Sequence, residues 1–134
     1  MTPVEVVTGL LVRDGRVLMC QRSPQKIYPL HWEFPGGKVE SNESLLDALT
    51  REIREELHLT CKGARIYFED TMTYSNGMTY HVTFFVSTEF SGDIVNTEFN
   101  DVGWFSSEEL RHLLHLSGNR QIIEKLISEG IPVK

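Results

Sequence analysis

Three glutamates, Glu52, Glu55 and Glu56, fall within five positions, and Pro35, Gly36 and Gly37 stand ahead of them. On a helix, like charges three and four residues apart cost about 0.2–0.5 kcal/mol per pair. Such a cluster fits either a solvated acidic face or a site where several carboxylates share one cation. Oxygen ligands of this kind suit Mg²⁺ or Mn²⁺. A Gly-Gly pair lets backbone turn sharply and come close to a ligand, and its carbonyls are further hard donors.

Those acids belong to a predicted amphipathic helix that ends near Leu57, with Ser41 or Asn42 as its cap. At about 100° per residue, Leu46, Leu49, Ile53 and Leu57 fall within an arc of about 80°, and the three glutamates occupy the adjacent arc of about 100°. The carboxylates therefore flank the apolar stripe, with Arg51 and Arg54 as the nearby cations.

Around this helix the pattern is mostly strands. "VEVVTGLLV" and "RVLMCQR" flank "RDG", which predicts a hairpin over Val4 to Gln21. "SPQKIYPLHW" reads as a loop broken by Pro24 and Pro29. "ARIYFEDTMTY" and "MTYHVTFFVSTEF" read as two strands joined at Ser75 to Gly77. "VGWFSSEELRHLLHL" reads as a short strand running into a helix capped by Ser106 or Ser107, and "NRQIIEKLISEG" as a last helix from Asn119 to Gly130. Sequential hairpins with interspersed helices predict an α+β chain, a mixed sheet with helices on its faces, in one domain over residues 1–134.

Composition narrows the partners. With 40% hydrophobic and 24% charged residues, the 134-residue chain has the make-up of an ordinary globular domain. A formal charge of −6 predicts no general attraction to nucleic acid polymers or anionic lipid. No apolar run approaches the roughly 20 residues of a membrane span. Cys20 and Cys61 make neither a disulfide framework nor a metal cluster, so the expected home is a reducing cytoplasm. Oligomeric state is left open.

"GKVESNESLLDALTREIREELHL", Gly37 to Leu59, resembles the Nudix box, with Gly37, Glu43, Arg51, Glu52, Ile53, Glu55, Glu56 and Leu59 in register. His58 stands where that family has glycine. His is among the residues that visit the left-handed conformation with some ease, so the departure concerns how the helix ends. The resemblance implies an α/β/α sandwich and a hydrolase that uses Mg²⁺ or Mn²⁺ to direct water onto phosphorus in a small nucleotide. It implies metal ligation by Glu52, Glu55, Glu56 and a Gly36 carbonyl, with Arg51 holding the carboxylates and Glu43 as its partner.

"HWEFPGGKVE" resembles the MutT branch, which releases pyrophosphate from nucleoside triphosphates, more than the family at large. By that likeness Glu98, before Trp104, joins the metal site or supplies the base, although an acid in a polar loop is an equal reading. Arg22 and Lys38 fall where phosphates are contacted, while Arg22 could also simply end an edge strand. Phe34, Tyr80 and His81 are candidate base-stacking residues, with Tyr80 and His81 alternatively alternating between core and surface. Asn119 falls where oxidised guanine is read, although a plain helix N-cap is the favoured reading of the residue. The expected substrate is 8-oxo-dGTP, followed by CTP or a modified dCTP, then a dinucleoside polyphosphate or ADP-ribose. The alternative from another class is a nucleotide-sensing module without turnover.

Overall fold

In the computed structural model, which describes residues 2–133, the predicted hairpin is formed by β1 (Val4–Arg13) and β2 (Arg16–Gln21). Asp14 and Gly15 both take positive φ, 53° and 74°, the two-residue turn that matches strand twist. Two short strands follow, β3 (Trp32–Glu33) and β4 (Gly36–Lys38), so the Gly-Gly stretch is an edge-on strand where a loop was expected. Helix α1 (Leu45–Leu57) comes next, then β5 (Thr60–Lys62), β6 (Arg65–Thr73), β7 (Thr79–Ser87) and β8 (Glu89–Ser91). The last elements are β9 (Asp101–Phe105), α2 (Ser107–Leu110), a 3₁₀ turn (Ser117–Asn119) and α3 (Arg120–Glu129).

The main sheet runs β3-β2-β1-β7-β6, with β4 beside β1 and β9 beside β2. It is mixed because β1 and β7 pair in parallel, Val4 opposite Tyr80 through Leu11 opposite Ser87, while the other pairs are antiparallel. The single strand expected over residues 78–90 breaks at Thr88, and β8 leaves to pair with β5.

Alternation along β1 sends Leu10 and Val12 to one face and Val7 and Leu11 to the other. The first face packs against Leu110, Ile122, Ile123 and Leu126 of α2 and α3; the second packs against Ala48, Leu49, Ile53 and Leu57 of α1. The result is the expected sheet between helices. Gly9 sets the depth of α1: a Cβ there would lie 3.1 Å from Ile53 Cδ1 and 3.3 Å from Leu49 Cδ1. Ile53 is fully buried, so truncation to Ala would cost about 2–5 kcal/mol.

Two expectations about α1 are corrected. Ser44, not Ser41 or Asn42, caps it, its hydroxyl accepting from the Asp47 N–H at 3.0 Å, because residues 40–43 form a separate turn in which the Glu40 N–H donates to Glu43 at 2.9 Å. Leu46 is 46% exposed, and Ala48 takes its place on the buried face. That face, Ala48 through Leu57, spans about 180° of the helix wheel and contains Glu52 and Glu56. His58 ends the helix in the left-handed conformation, φ 62°, its N–H donating to the Arg54 carbonyl.

Candidate active site

α1 turns its carboxylates toward the Gly36–Gly37 strand. The Gly36 N–H donates to Glu56 Oε1 at 3.0 Å. A Cβ on Gly37 would lie 2.5 Å from the Glu52 carboxyl carbon, and one on Gly36 would run into the Val7 carbonyl. Gly36 therefore leaves no room for a side chain against β1, and a side chain at Gly37 would displace the Glu52 carboxylate from its place against the strand.

Arg51 organises the group. Its Nε and Nη2 donate to the two oxygens of Glu43 at 2.6 and 3.0 Å, Nη1 donates to Glu52 at 2.8 Å and reaches Glu55 at 3.4 Å, and Nη2 also donates to the Lys38 carbonyl at 3.1 Å. The hydrogen bonds from Arg51 and the Glu40 N–H hold the Glu43 carboxyl below its ordinary range. Glu52 moves the other way, raised by burial against the pull of Arg51, with Glu55 and Glu98 adding to the rise. Glu56 is pushed up to about 8 by burial, against the Gly36 N–H, with the charges of Glu52, Glu98 and Glu33 adding to it. Glu55 is exposed.

Glu98 lies in the loop between β8 and β9, which is tied to β2 where the Asn100 N–H donates to the Gln21 carbonyl at 2.9 Å and its amide donates to Gln21 Oε1 at 2.7 Å. From there its charge reaches Glu33, Glu52 and Glu56. Arg22 is tied inside the protein: Nε donates to the Ile27 carbonyl at 2.8 Å and Nη1 to Glu33 at 3.3 Å. Glu33, which the sequence reading passed over, is raised by burial while Arg22 pulls it down. Its pairing opposite Cys20 in β3 explains why it stands at the site.

On the other side of the Gly36–Gly37 strand lies an open cavity of about 530 Å³, lined by both glycines, Arg22, Phe34, Tyr80 and Asn119 among others. Phe34 is only 5% exposed, its ring packed edge-on against Phe84 at 6.5 Å, so it forms part of the cavity floor and is not a free stacking platform. Tyr80 lines the cavity, whereas His81 turns away, between Glu5 and Glu69 at 2.9 and 3.1 Å. Lys38 is exposed and is not among the cavity residues.

Asn119 holds the N-cap position of α3, yet its side chain makes no capping bond. Its Oδ1 is buried without a partner, one of two such side-chain atoms among the described residues, the other being Thr83 Oγ1. The expectation of a side-chain cap is therefore corrected: a residue that lines the cavity carries a buried acceptor that folding leaves unused.

Among the described residues no three carboxylate, imidazole or thiol groups already converge as a closed metal cage. The donor set nevertheless fits a hard divalent cation: all oxygens, several half-buried, with one carboxyl raised to about 8 by burial, to which its acidic neighbours add.

A mixed sheet between helices, with an arginine-organised glutamate cluster against a Gly-Gly strand, defines a Nudix hydrolase, and the NUDIX domain model matches residues 2–126. The chain belongs to that family.

Among its relatives is the CTP pyrophosphohydrolase of Escherichia coli strain K12, 36% identical over 109 residues, 81% of this chain and 80% of that protein. Another is the 8-oxo-dGTP diphosphatase of Buchnera aphidicola subsp. Schizaphis graminum, 30% identical over 121 residues, 90% of this chain and 91% of that one. The solution structure of the E. coli ORF135 protein superposes with a TM-score of 0.85 at 31% identity, covering 96% of this chain and 91% of its own. The crystal structure of a MutT NUDIX hydrolase from Burkholderia pseudomallei gives 0.84 at 26% identity, covering 94% and 99%.

Proposed function

We propose that this chain is a divalent-metal-dependent pyrophosphohydrolase of nucleoside triphosphates, releasing monophosphate and pyrophosphate in a cytoplasmic nucleotide pool, with 8-oxo-dGTP as first substrate. The carrying observation is Asn119, which lines a cavity of about 530 Å³ beside the Gly36–Gly37 strand and whose Oδ1 is buried without a partner. An unused buried acceptor favours a ligand that brings an N–H. The major-groove edge of guanine offers only the N7 and O6 acceptors, whereas oxidised guanine carries a hydrogen on N7. The Asn119 amide can accept from that N–H and donate to O6.

A bound Mg²⁺ or Mn²⁺ would be held by Glu52, Glu55, Glu56, Glu98 and the Gly36 carbonyl, where it supplies charge neutralisation for the polyphosphate and acidifies water. Arg51 keeps the glutamates in place through its fork. Glu98 or a glutamate of α1 takes the proton of the attacking water. Arg22 and Lys38 supply positive charge to the phosphates; Arg22 does so after exchanging its bonds to Ile27 and Glu33.

A second reading, CTP or a modified dCTP, has its own support. Cytosine also brings an amine donor for Asn119, and the relative named for CTP is the more identical of the two compared above.

The test is pyrophosphate release from 8-oxo-dGTP, dGTP, CTP, 5-methyl-dCTP, diadenosine tetraphosphate and ADP-ribose, each with Mg²⁺ and with EDTA. Metal-dependent turnover led by 8-oxo-dGTP supports the first reading and turnover led by CTP the second. Binding without turnover on all six would make the chain a sensor.

A further inference from the structure

The turn between β6 and β7 meets the cavity from the side opposite α1. Tyr74, Asn76, Met72 and Tyr80 all line it, and so do Gly118 and Asn119. The turn is well fixed: the Tyr74 N–H donates to the Met78 carbonyl at 2.9 Å, and Asn76 Oδ1 accepts from the Met78 N–H at 2.9 Å. Asn76 therefore keeps its amide N–H groups for something else.

Tyr74 is placed from two directions. Its ring meets Tyr80 edge-on, centroids 5.3 Å apart and planes at 72°. Its hydroxyl lies over Gly118, 2.8 Å from where a Cβ would stand, so a larger residue at 118 would displace that hydroxyl from its place beside the segment that carries Asn119. An aromatic ring pinned in this way, yet still 42% exposed, is a face that the protein has positioned without covering.

The structure assigns this turn a role: Tyr74, set between Tyr80 and Gly118, is the wall against which a nucleobase stacks while Asn119 and the Asn76 amide meet its edge. This deepens the nucleotide reading above and rests on it for the class of ligand. Base stacking on aromatic side chains is tolerant of base identity, so Tyr74 supplies affinity and the two amides supply choice.

Binding of products tests this apart from turnover. In Mg²⁺, 8-oxo-dGMP and CMP are titrated by NMR into the wild type, Tyr74→Ala and Tyr74→Phe, with amide shifts away from the turn as the check on folding. The expected result is that Tyr74→Ala weakens the preferred monophosphate about tenfold or more, while Tyr74→Phe, which keeps the ring, stays within about twofold. Asn76→Ala is expected to narrow the ratio between the two monophosphates. The proposal is overturned if Tyr74→Ala binds like the wild type, if Tyr74→Phe loses as much as Tyr74→Ala, or if the wild type binds neither monophosphate. Binding that follows the expected pattern in a protein without turnover on any triphosphate would remove the hydrolase reading and leave the wall standing.

Discussion

On the α1 side of the sheet, Glu5 and Glu69 share His81, at 2.9 and 3.1 Å from its two ring nitrogens. On α1 itself, Arg51 lies within ion-pairing distance of Glu40, Glu43, Glu52 and Glu55. The first group comes nearer to balance, one imidazolium to two carboxylates, because carboxylates only accept and two of them on one ring favour its doubly protonated, charged form. The second is short of positive charge: one guanidinium serves four carboxylates, and Glu56 has only a backbone N–H. Where a protein supplies its own counter-charge, the acids are structural. Where it leaves several half-buried carboxylates with too little, with one raised to about 8, the missing charge is the natural place for a ligand.

The largest effect expected from this difference is on turnover. Glu56→Gln should lower kcat at saturating Mg²⁺ by at least about a hundredfold, since even residues that merely orient metal ligands are worth 10–100-fold. Glu69→Gln, in the balanced group, should leave kcat within about twofold. Equal losses in the two variants would erase the distinction. Next comes Arg51→Lys, which keeps the charge but loses the fork to Glu43 and Glu52. It should cost about 10–100-fold in kcat with the chain still folded by circular dichroism; near-normal kcat would show that Arg51 matters as a charge alone.

A cation that completes the unbalanced group must also stabilise it. At a Mg²⁺ concentration a hundred times its Kd, linkage adds about 2.7 kcal/mol, a rise of several degrees in Tm for a chain of this size. The shift should be absent in Glu56→Gln and present in Glu69→Gln. A melt of the wild type that ignores Mg²⁺ and Mn²⁺ would remove the cation from the unbalanced group.

What the sequence made legible follows from how local each signal is. The acidic helix and its box were readable because a period of 3.6 and fixed offsets between residues 37 and 59 carry them. The cap was misread because Ser41, Asn42 and Ser44 are all competent; the choice fell to Glu43, whose bonds to Arg51 and the Glu40 N–H hold residues 40–43 in a turn of their own. Leu46 looked like core and Ala48 did not, since the burial of α1 is set by Gly9 and the sheet beneath it, which no helical wheel contains. Glu33, Tyr74 and Asn76 escaped notice for the same reason: only the pairing of β3 with β2 and the approach of the β6–β7 turn to Gly118 bring them to the site. Asn119 was ambiguous in sequence because a cap and a ligand contact want the same amide, and the orphaned Oδ1 distinguishes them only in three dimensions.

The smallest effect belongs to the balanced group and carries a sign. His81 is raised above the ordinary imidazole value chiefly by its hydrogen bond to Glu5, against the opposing effect of burial, with the charges of Glu5 and Glu69 adding to the rise. A group whose folded value is raised stabilises most when it is charged in both states. Its contribution is therefore full below the unfolded value, near pH 6.5, and fades as pH climbs through the folded one. Both carboxylates are partly exposed, so solvent screens the pairs to about 0.2–1 kcal/mol each. Melts of the wild type and His81→Gln at pH 6 and pH 8.5 should differ by a degree or more at the lower pH and converge at the higher. A gap that widened with pH would mean that His81 is held neutral, and the two charged groups of this sheet would then be unbalanced alike.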